Sequence, residues 1–130
     1  MRKKLLLCLL ACLMCIMVKA ATFNDSITFF GHYNNGESVT NIDGDYFNIA
    51  FSKGTNNYEP RYYDLGEAVR VYGGNTFTVS SSLIITKIEF TFGSGDGNNE
   101  ITTDVGTYSD STWTGFCHKC YIHSCQWKRT

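Results

Sequence analysis

The residue types best suited to binding a ligand concentrate between Tyr58 and Asp64, around the only proline of the chain. An aromatic ring can cover the apolar C–H face of a sugar, while carboxylate, amide or guanidinium groups bond to its hydroxyls. The pattern therefore predicts a sugar-binding site. Its members are Tyr62, Tyr63, Asp64, Arg70 and Tyr72. The competing interpretation is structural, with one tyrosine at the edge of a core and Asp64 paired with Arg70.

A glycine-rich segment, residues 93–100, offers a second set of ligand atoms. Calcium prefers carboxylate and carbonyl oxygens, so the oxygen-bearing side chains of this segment could surround a calcium ion. The residues concerned are Asp96, Asn98, Asn99 and Glu100. Their spacing differs from that of an EF-hand, and a Gly-Asp-Gly-Asn run is also typical of tight turns. Turn formation is the alternative reading of the same residues.

The last fifteen residues, 116–130, differ in composition from everything before them. They hold three cysteines, two histidines and three basic residues. Thiolates and imidazole suit zinc, and the candidate ligands are Cys117, Cys120, His123 and Cys125. Structural zinc sites usually place a longer loop between ligand pairs, and oxidising compartments favour disulfides. We therefore expect 116–130 to be an aberrant tail whose cysteines bind no metal.

Catalytic residues are scarce in the rest of the chain. His32 is the only histidine before the tail, and residues 22–116 contain no cysteine. Before the tail, a serine nucleophile could therefore pair only with His32 as its base, and a cysteine nucleophile is absent from residues 22–116. Most acidic residues lie beside turn glycines or at outward strand positions, where a solvated charge explains them. We expect a protein that is not an enzyme and that needs no cofactor.

Residues 1–20 have the pattern of an export signal. A short basic start is followed by the apolar stretch Leu5–Val18, which is shorter than the roughly twenty residues needed to span a bilayer. Small residues near Ala20 fit cleavage by signal peptidase. We expect a signal-peptide helix over 1–20 and a secreted, periplasmic or cell-surface protein. A lipoprotein signal, with Cys12 as the lipidated residue, is the alternative.

Without the signal the chain is acidic. Residues 21–130 carry 7 basic and 12 acidic side chains, and residues 21–115 carry 4 and 12, a net charge of −8. Binding to nucleic acid or to an anionic membrane needs basic clusters. The charge therefore argues against both partners, and no membrane-spanning segment is expected.

Short alternating runs separated by turn residues fill the body of the chain. The predicted strands are 26–30, 45–51, 67–72, 76–80 and 84–92, with weaker candidates at 101–108 and 112–114. The alternation predicts these inward-facing apolar sets: Phe47, Ile49 and Phe51; Phe77 and Val79; Ile84, Ile88, Phe90 and Phe92. Strands with one apolar and one polar face need a second sheet to cover the apolar face. The predicted fold is therefore all-β, an antiparallel β-sandwich of the jelly-roll or immunoglobulin-like type over residues 21–115.

Five stretches resemble a β-sandwich module that recurs in secreted and surface proteins of gut-type bacteria. They are Phe51–Thr55, Tyr62–Tyr72, Gly74–Val79, Ile85–Gly93 and Asp104–Gly115. The resemblance implies the fold and an exported location. Members continue after the Trp-Thr-Gly with a Thr-Val-Thr-Phe-like strand, and this chain departs from them at Phe116, which implies an incomplete domain. We expect a secreted, non-catalytic, glycan-binding module; a structural or adhesive surface domain is the alternative.

Two hypotheses would explain the departure at Phe116, a frameshift and a truncation. Deleting one base at the start of its codon lets the following bases spell Ser-Ala-Thr-Ser-Val-Thr-Phe, an alternating strand that continues Thr112–Gly115. We expect the coding DNA to contain a codon series compatible with this shifted reading. Sequencing through the Gly115 codon checks it, and a codon series that cannot spell Ser-Ala-Thr-Ser-Val would remove the hypothesis.

Overall fold

The computed structural model describes residues 21–93 and 100–124, which form strands joined by turns and irregular segments. Its strands are β1 (Asn41–Asp43), β2 (Phe47–Ser52), β3 (Arg61–Tyr63), β4 (Ala68–Arg70), β5 (Thr76–Glu89), β6 (Ile101–Thr103), β7 (Thr107–Ser109) and β8 (Thr112–Ser124). The prediction of an all-β chain with antiparallel pairing is confirmed. The predicted signal peptide lies outside the described residues. Nowhere in the described ranges is there a helix of the length and apolarity needed to cross a membrane.

The strands form one large and one small sheet. The six-stranded sheet has the order β1-β2-β5-β8-β6. The sixth strand, β7, also pairs with β8, at residues of β8 other than those that pair with β6. The two-stranded sheet is the β3–β4 hairpin, to which Ser38 adds an isolated antiparallel bridge at Arg61. The long strands β5 and β8 thus lie at the centre of the large sheet.

The apolar face of the large sheet follows from the period-2 pattern of its strands. Ile49 lies opposite Val79, and Phe51 lies opposite Phe77, so the predicted inward set of β2 shares a face with the inward set of β5. A row of rings continues along this face. The distances between ring centroids are 6.0 Å for Phe29–Phe51, 5.8 Å for Phe51–Phe77 and 5.7 Å for Phe77–Phe90. These are ordinary separations for aromatic packing.

Trp113 on β8 is the largest fully buried side chain. Its indole N–H donates to the carbonyl of Val105 at 2.7 Å, so its one polar atom is satisfied. Two glycines allow the backbone to approach the ring. A Cβ built on Gly106 would lie 2.6 Å from the indole, and one built on Gly115 would lie 2.7 Å from it. Glycine at both positions therefore creates the space that Trp113 fills.

Some strand predictions are wrong, each for a physical reason. Residues 26–30 form no strand, because no neighbouring strand pairs with them. Residues 76–80 and 84–92 were expected as two strands but contribute to a single strand, β5, with an irregularity between Ser80 and Ile85. This irregularity leaves Ile84 59% exposed instead of inward. β1 and β3 are three residues each, too short for the alternating pattern to identify.

β8 runs through the predicted end of the domain at Gly115 and continues to Ser124. Cys120 and Ile122 are buried, opposite Val79 and Phe77 on β5. The tail thus carries its own alternation of inward and outward side chains as far as Ser124. Cys117 and Cys120 form a disulfide with a Cα–Cα distance of 5.8 Å, well below the roughly 10 Å spanned by three steps of an extended strand. The strand therefore bends at this disulfide.

Replacement of Gly106 by alanine tests the packing around Trp113. Gly106 has φ +80°, and its added Cβ would clash with both the indole and the carbonyl of Thr114. We expect Gly106→Ala to lower the free energy of unfolding by about 3 kcal/mol or more in urea denaturation. Gly31→Ala is the matched control, because Gly31 has φ +77° but no atom within 4 Å of the added Cβ. It should lose only about 1–2 kcal/mol, and equal losses at the two positions would contradict the packing argument.

Candidate functional site

Three of the predicted sugar-binding residues meet on one side of the β3–β4 hairpin. The guanidinium carbon of Arg70 lies 4.9 Å from the centroid of the Tyr63 ring, a cation–π arrangement. The hydroxyls of Tyr63 and Tyr72 are 3.3 Å apart and hydrogen-bonded. We call Tyr58, Tyr63, Arg70 and Tyr72 together the tyrosine–arginine face.

Cross-strand register explains why these residues meet. Tyr63 pairs with Ala68, and Arg61 pairs with Arg70. Paired residues of an antiparallel ladder share a face, as do residues two apart on one strand. Tyr63 and Arg70 therefore lie on the same face of the hairpin.

The same register removes Tyr62 from the site. Tyr62 pairs with Val69 on the opposite face of the hairpin and is 1% exposed. Its ring lies 6.3 Å from that of Tyr33. The structure does not bring Tyr62 to the face that holds Tyr63, because adjacent residues of a strand point to opposite faces. Tyr62 is a core residue.

Asp64 lies in the turn that connects β3 to β4. Its backbone N–H donates to the side-chain oxygen of Asn35 at 3.0 Å. In the described part of the chain its carboxylate forms no ion pair with Arg70; the ion pairs found there are Lys87–Glu89 and His123–Asp104. The alternative structural pairing of Asp64 with Arg70 is therefore not formed, and Asp64 is exposed.

Tyr58 is a member of the site that the predicted set omitted. Its ring centroid lies 5.9 Å from that of Tyr72, and the residue is 64% exposed. Tyr58 begins the same aromatic segment that indicated the site, so the composition of that segment could have identified it. Tyr58 is fourteen residues from Tyr72 in the sequence, and no local pattern predicts the contact between their rings. It provides the most accessible aromatic ring of this face.

Asn75 holds the two loops that carry Tyr58 and Tyr72. Its side-chain amide donates to the carbonyls of Lys53 at 2.8 Å and Tyr58 at 2.9 Å. Its side-chain oxygen accepts the N–H of Tyr72 at 2.8 Å. Asn75 is fully buried, so all three bonds are made away from water, where losing a partner is costly.

A second asparagine joins the same two loops. The side-chain oxygen of Asn56 accepts the N–H of Tyr58 at 2.7 Å, and its amide donates to the carbonyl of Gly73 at 2.6 Å. Gly54 also contacts the other loop closely, because a Cβ built there would lie 2.2 Å from the carbonyl oxygen of Gly74. The backbone that carries Tyr58 is thus fixed against the backbone that carries Tyr72.

The end of β8 supports this loop pair. The N–H of Ser124 donates to the carbonyl of Asn75 at 3.0 Å, and the N–H of Gly74 donates to the carbonyl of Ser124. The predicted tail therefore contributes backbone hydrogen bonds to the segment that positions the tyrosine–arginine face.

The surroundings of Tyr72 favour its protonated phenol. The hydrogen bond with Tyr63 is the main cause that raises the pKa of Tyr72 above its ordinary value, and burial adds to it. The positive charge of Arg70 acts in the opposite direction. A neutral phenol both donates and accepts hydrogen bonds, as recognition of sugar hydroxyls requires.

The tyrosine–arginine face is an exposed surface. Two clefts, with volumes of about 220 and 210 Å³, lie elsewhere, one lined by Asp25, His32 and Asp43, the other by Phe51 and Pro60. Both are smaller than the roughly 300 Å³ at which small-molecule pockets begin. The arrangement therefore suits a ligand that lies on a surface, such as one unit of a polymer.

The predicted metal sites are only partly within the described residues. Of the calcium set, Glu100 is exposed, while Asp96, Asn98 and Asn99 lie outside those residues, so the calcium site stays a prediction. Of the zinc set, the two cysteines of Cys117–Cys120 form a disulfide, His123 bonds to Asp104 at 2.9 Å, and Cys125 lies outside. Within 21–93 and 100–124, no three His, Cys, Asp or Glu side chains group to hold a metal ion.

Comparison with known proteins identifies no relative. No protein family model, curated protein or solved structure matches the chain. The resemblance to a secreted β-sandwich module therefore stays a prediction. The function must be argued from the residues of the tyrosine–arginine face.

Replacing Asn75 tests whether it fixes the loops. Asn75→Ala would remove three buried hydrogen bonds, those to the Tyr58 carbonyl, the Tyr72 N–H and the Lys53 carbonyl, of which the last still accepts the N–H of Asn56. We expect it to lower the free energy of unfolding by about 3 kcal/mol. Asn48→Ala is the control, since Asn48 bonds only to the exposed side chain of Asn41; its effect should stay within about 0.5 kcal/mol. Urea denaturation measures both. A loss at Asn75 no larger than at Asn48 would contradict the assignment.

Proposed function

We propose that this protein is an exported, non-catalytic β-sandwich module that binds a glycan through the tyrosine–arginine face. The observation that carries the proposal is the convergence of three tyrosines and an arginine from two loops and a hairpin, with Tyr58 left 64% exposed. Such a set combines ring faces for stacking with groups that bond to hydroxyls.

Two features support the β-sandwich part of the proposal. The row of rings on the large sheet forms an apolar face that needs a cover. The hairpin supplies the apolar side chains Tyr62 and Val69 on the face opposite to Arg70. We take the small sheet as part of the second layer, as in the secreted β-sandwich modules that the sequence resembles.

Export is supported by the pattern of residues 1–20 and is compatible with the Cys117–Cys120 disulfide, since disulfides persist in oxidising compartments. The non-catalytic part of the proposal rests on the shortage of nucleophile–base pairs. His123, on strand β8, bonds to Asp104. No member of the tyrosine–arginine face is a histidine, cysteine or carboxylate. Groups of this kind bind hydroxyls but give little acid–base chemistry at neutral pH.

A sugar would meet this face in a simple way. The Tyr58 ring offers an accessible apolar surface for the C–H face of a pyranose, and the phenols of Tyr63 and Tyr72 reach its hydroxyls. Because Asn56 and Asn75 fix the loops before binding, little conformational freedom is lost when a ligand arrives.

The alternative is a structural or adhesive surface domain with no small-molecule ligand. It is favoured by the fact that the side chains of this face already bond to each other: Arg70 covers Tyr63, and Tyr63 bonds to Tyr72. A glycan array separates the two functions, because a structural domain binds no sugar on it.

Alanine variants at the face test the proposal. We expect the purified protein to bind at least one sugar on an array, and Tyr58→Ala and Tyr63→Ala each to weaken that binding by tenfold or more, since stacking and hydrogen bonding are lost. Tyr121→Ala is the matched control, because Tyr121 is also exposed, with the ammonium of Lys119 5.3 Å from its ring centroid. Circular dichroism verifies the fold of each variant. Absence of binding to every sugar would favour the structural alternative.

A further inference from the structure

We infer that the ligand of the tyrosine–arginine face is an anionic sugar, recognised through its carboxylate or sulfate group by Arg70 and Arg61. The inference rests on the proposed function and adds the charge class of the sugar. It also adds Arg61, a residue outside the predicted site, as a determinant of specificity.

The first argument is the distribution of basic residues. Residues 21–115 contain 12 acidic side chains and only four basic ones. Two of the four, Arg61 and Arg70, pair across the hairpin, and Lys53 begins the loop whose carbonyls Asn75 holds. The fourth, Lys87, forms an ion pair with Glu89 at 2.7 Å. Of the five basic residues that the structure describes, two thus share one face of the hairpin, and the fifth, Lys119, lies over the ring of Tyr121.

The second argument is that Arg61 and Arg70 are directly opposed. They are Cα partners in the antiparallel ladder and lie on one face, an arrangement in which like charges destabilise a sheet. In the described residues neither has a carboxylate within 4.0 Å. Arg61 donates to the carbonyl of Gly36 at 3.1 Å, and Arg70 lies over Tyr63. Neither contact neutralises a charge, so an anion bound between them would relieve the repulsion.

The nearest acidic residues along the hairpin leave this end open. Asp64 and Glu67 belong to the turn at the far end, beyond the row formed by Tyr63 and Ala68. At about 3.3 Å per residue, Asp64 is roughly 10 Å from Arg61 along the strand. Glu59 lies on the other side of the buried Pro60 and is exposed. Glu37 follows Gly36, the residue that Arg61 contacts, and its carboxylate accepts hydrogen bonds from Asn34. Among the described residues, no carboxylate lies within 4.0 Å of either guanidinium group.

The geometry combines this charge with the rings. Arginine forms paired hydrogen bonds to a carboxylate or sulfate, and its plane stacks on an aromatic ring at the same time. Arg70 already occupies that stacked position on Tyr63. A pyranose that packs on the tyrosines would place an acidic substituent within reach of the arginine pair, whereas a neutral sugar would leave the charges unmatched.

The test compares sugars that differ only in charge. Binding of the purified protein is measured by isothermal titration with an oligogalacturonate, with the same oligomer after reduction of its carboxyl groups to alcohols, and with a sulfated galactose oligomer. We expect at least one anionic oligomer to bind tenfold or more tightly than the neutral one. The affinity should fall as salt rises from 50 to 200 mM, because salt screens exposed charges. The carboxylate and sulfate samples show which anion the site prefers.

Charge-neutral variants identify the residues responsible. Arg70→Gln and Arg61→Gln should each reduce anionic binding by about tenfold, as expected for a lost charged hydrogen bond, and should reduce its salt dependence. Lys87→Gln is the matched control, since it makes the same change in net charge at a residue paired with Glu89. It should leave both quantities unchanged.

The outcomes separate this inference from the proposed function. Equal binding of neutral and anionic oligomers would overturn the inference and leave glycan binding in place. Anionic binding that Lys87→Gln weakens as much as Arg70→Gln would overturn the assignment to the arginine pair. No binding of these oligomers or of any sugar on a broad array would overturn both.

Discussion

The antiparallel pairing of β5 with β8 is the constraint on which the structure depends. These two strands form the centre of the large sheet: β2 pairs with β5, β6 and β7 pair with β8, and β1 joins at the edge through β2. Their register places Phe77 opposite Ile122 and Val79 opposite Cys120, which builds the apolar face from residues more than forty positions apart. Burial of that face is the main favourable contribution to folding.

The same pairing reaches the candidate site through its last residue. β8 ends at Ser124, whose backbone bonds to Gly74 and Asn75, just before β5 begins. Asn75 then fixes the loops of Tyr58 and Tyr72 through its side chain. An asparagine suits this position because one amide offers two donors and an acceptor. The sheet thus positions the site through backbone and amide hydrogen bonds.

Charge gives the site its chemical character. Most of the domain carries negative charge, which keeps it soluble and repels other anions. The β3–β4 hairpin is the exception, because Arg61 and Arg70 face each other there without a carboxylate partner among the described residues. Retaining two unneutralised arginines beside three tyrosines costs stability, and binding of an anion is a physical reason to retain them.

The sequence by itself determined the strand class, the inward faces of β2 and of the first half of β5, and the aromatic segment of the site, because a period of two and residue composition are local properties. It did not identify the short strands β1 and β3, the separation of Tyr62 from Tyr63, or the continuation of β8 to Ser124. Tertiary structure alone decided these features. Strand pairing, register and the contact of Tyr58 with Tyr72 depend on residues distant in the chain, whose positions no local pattern encodes.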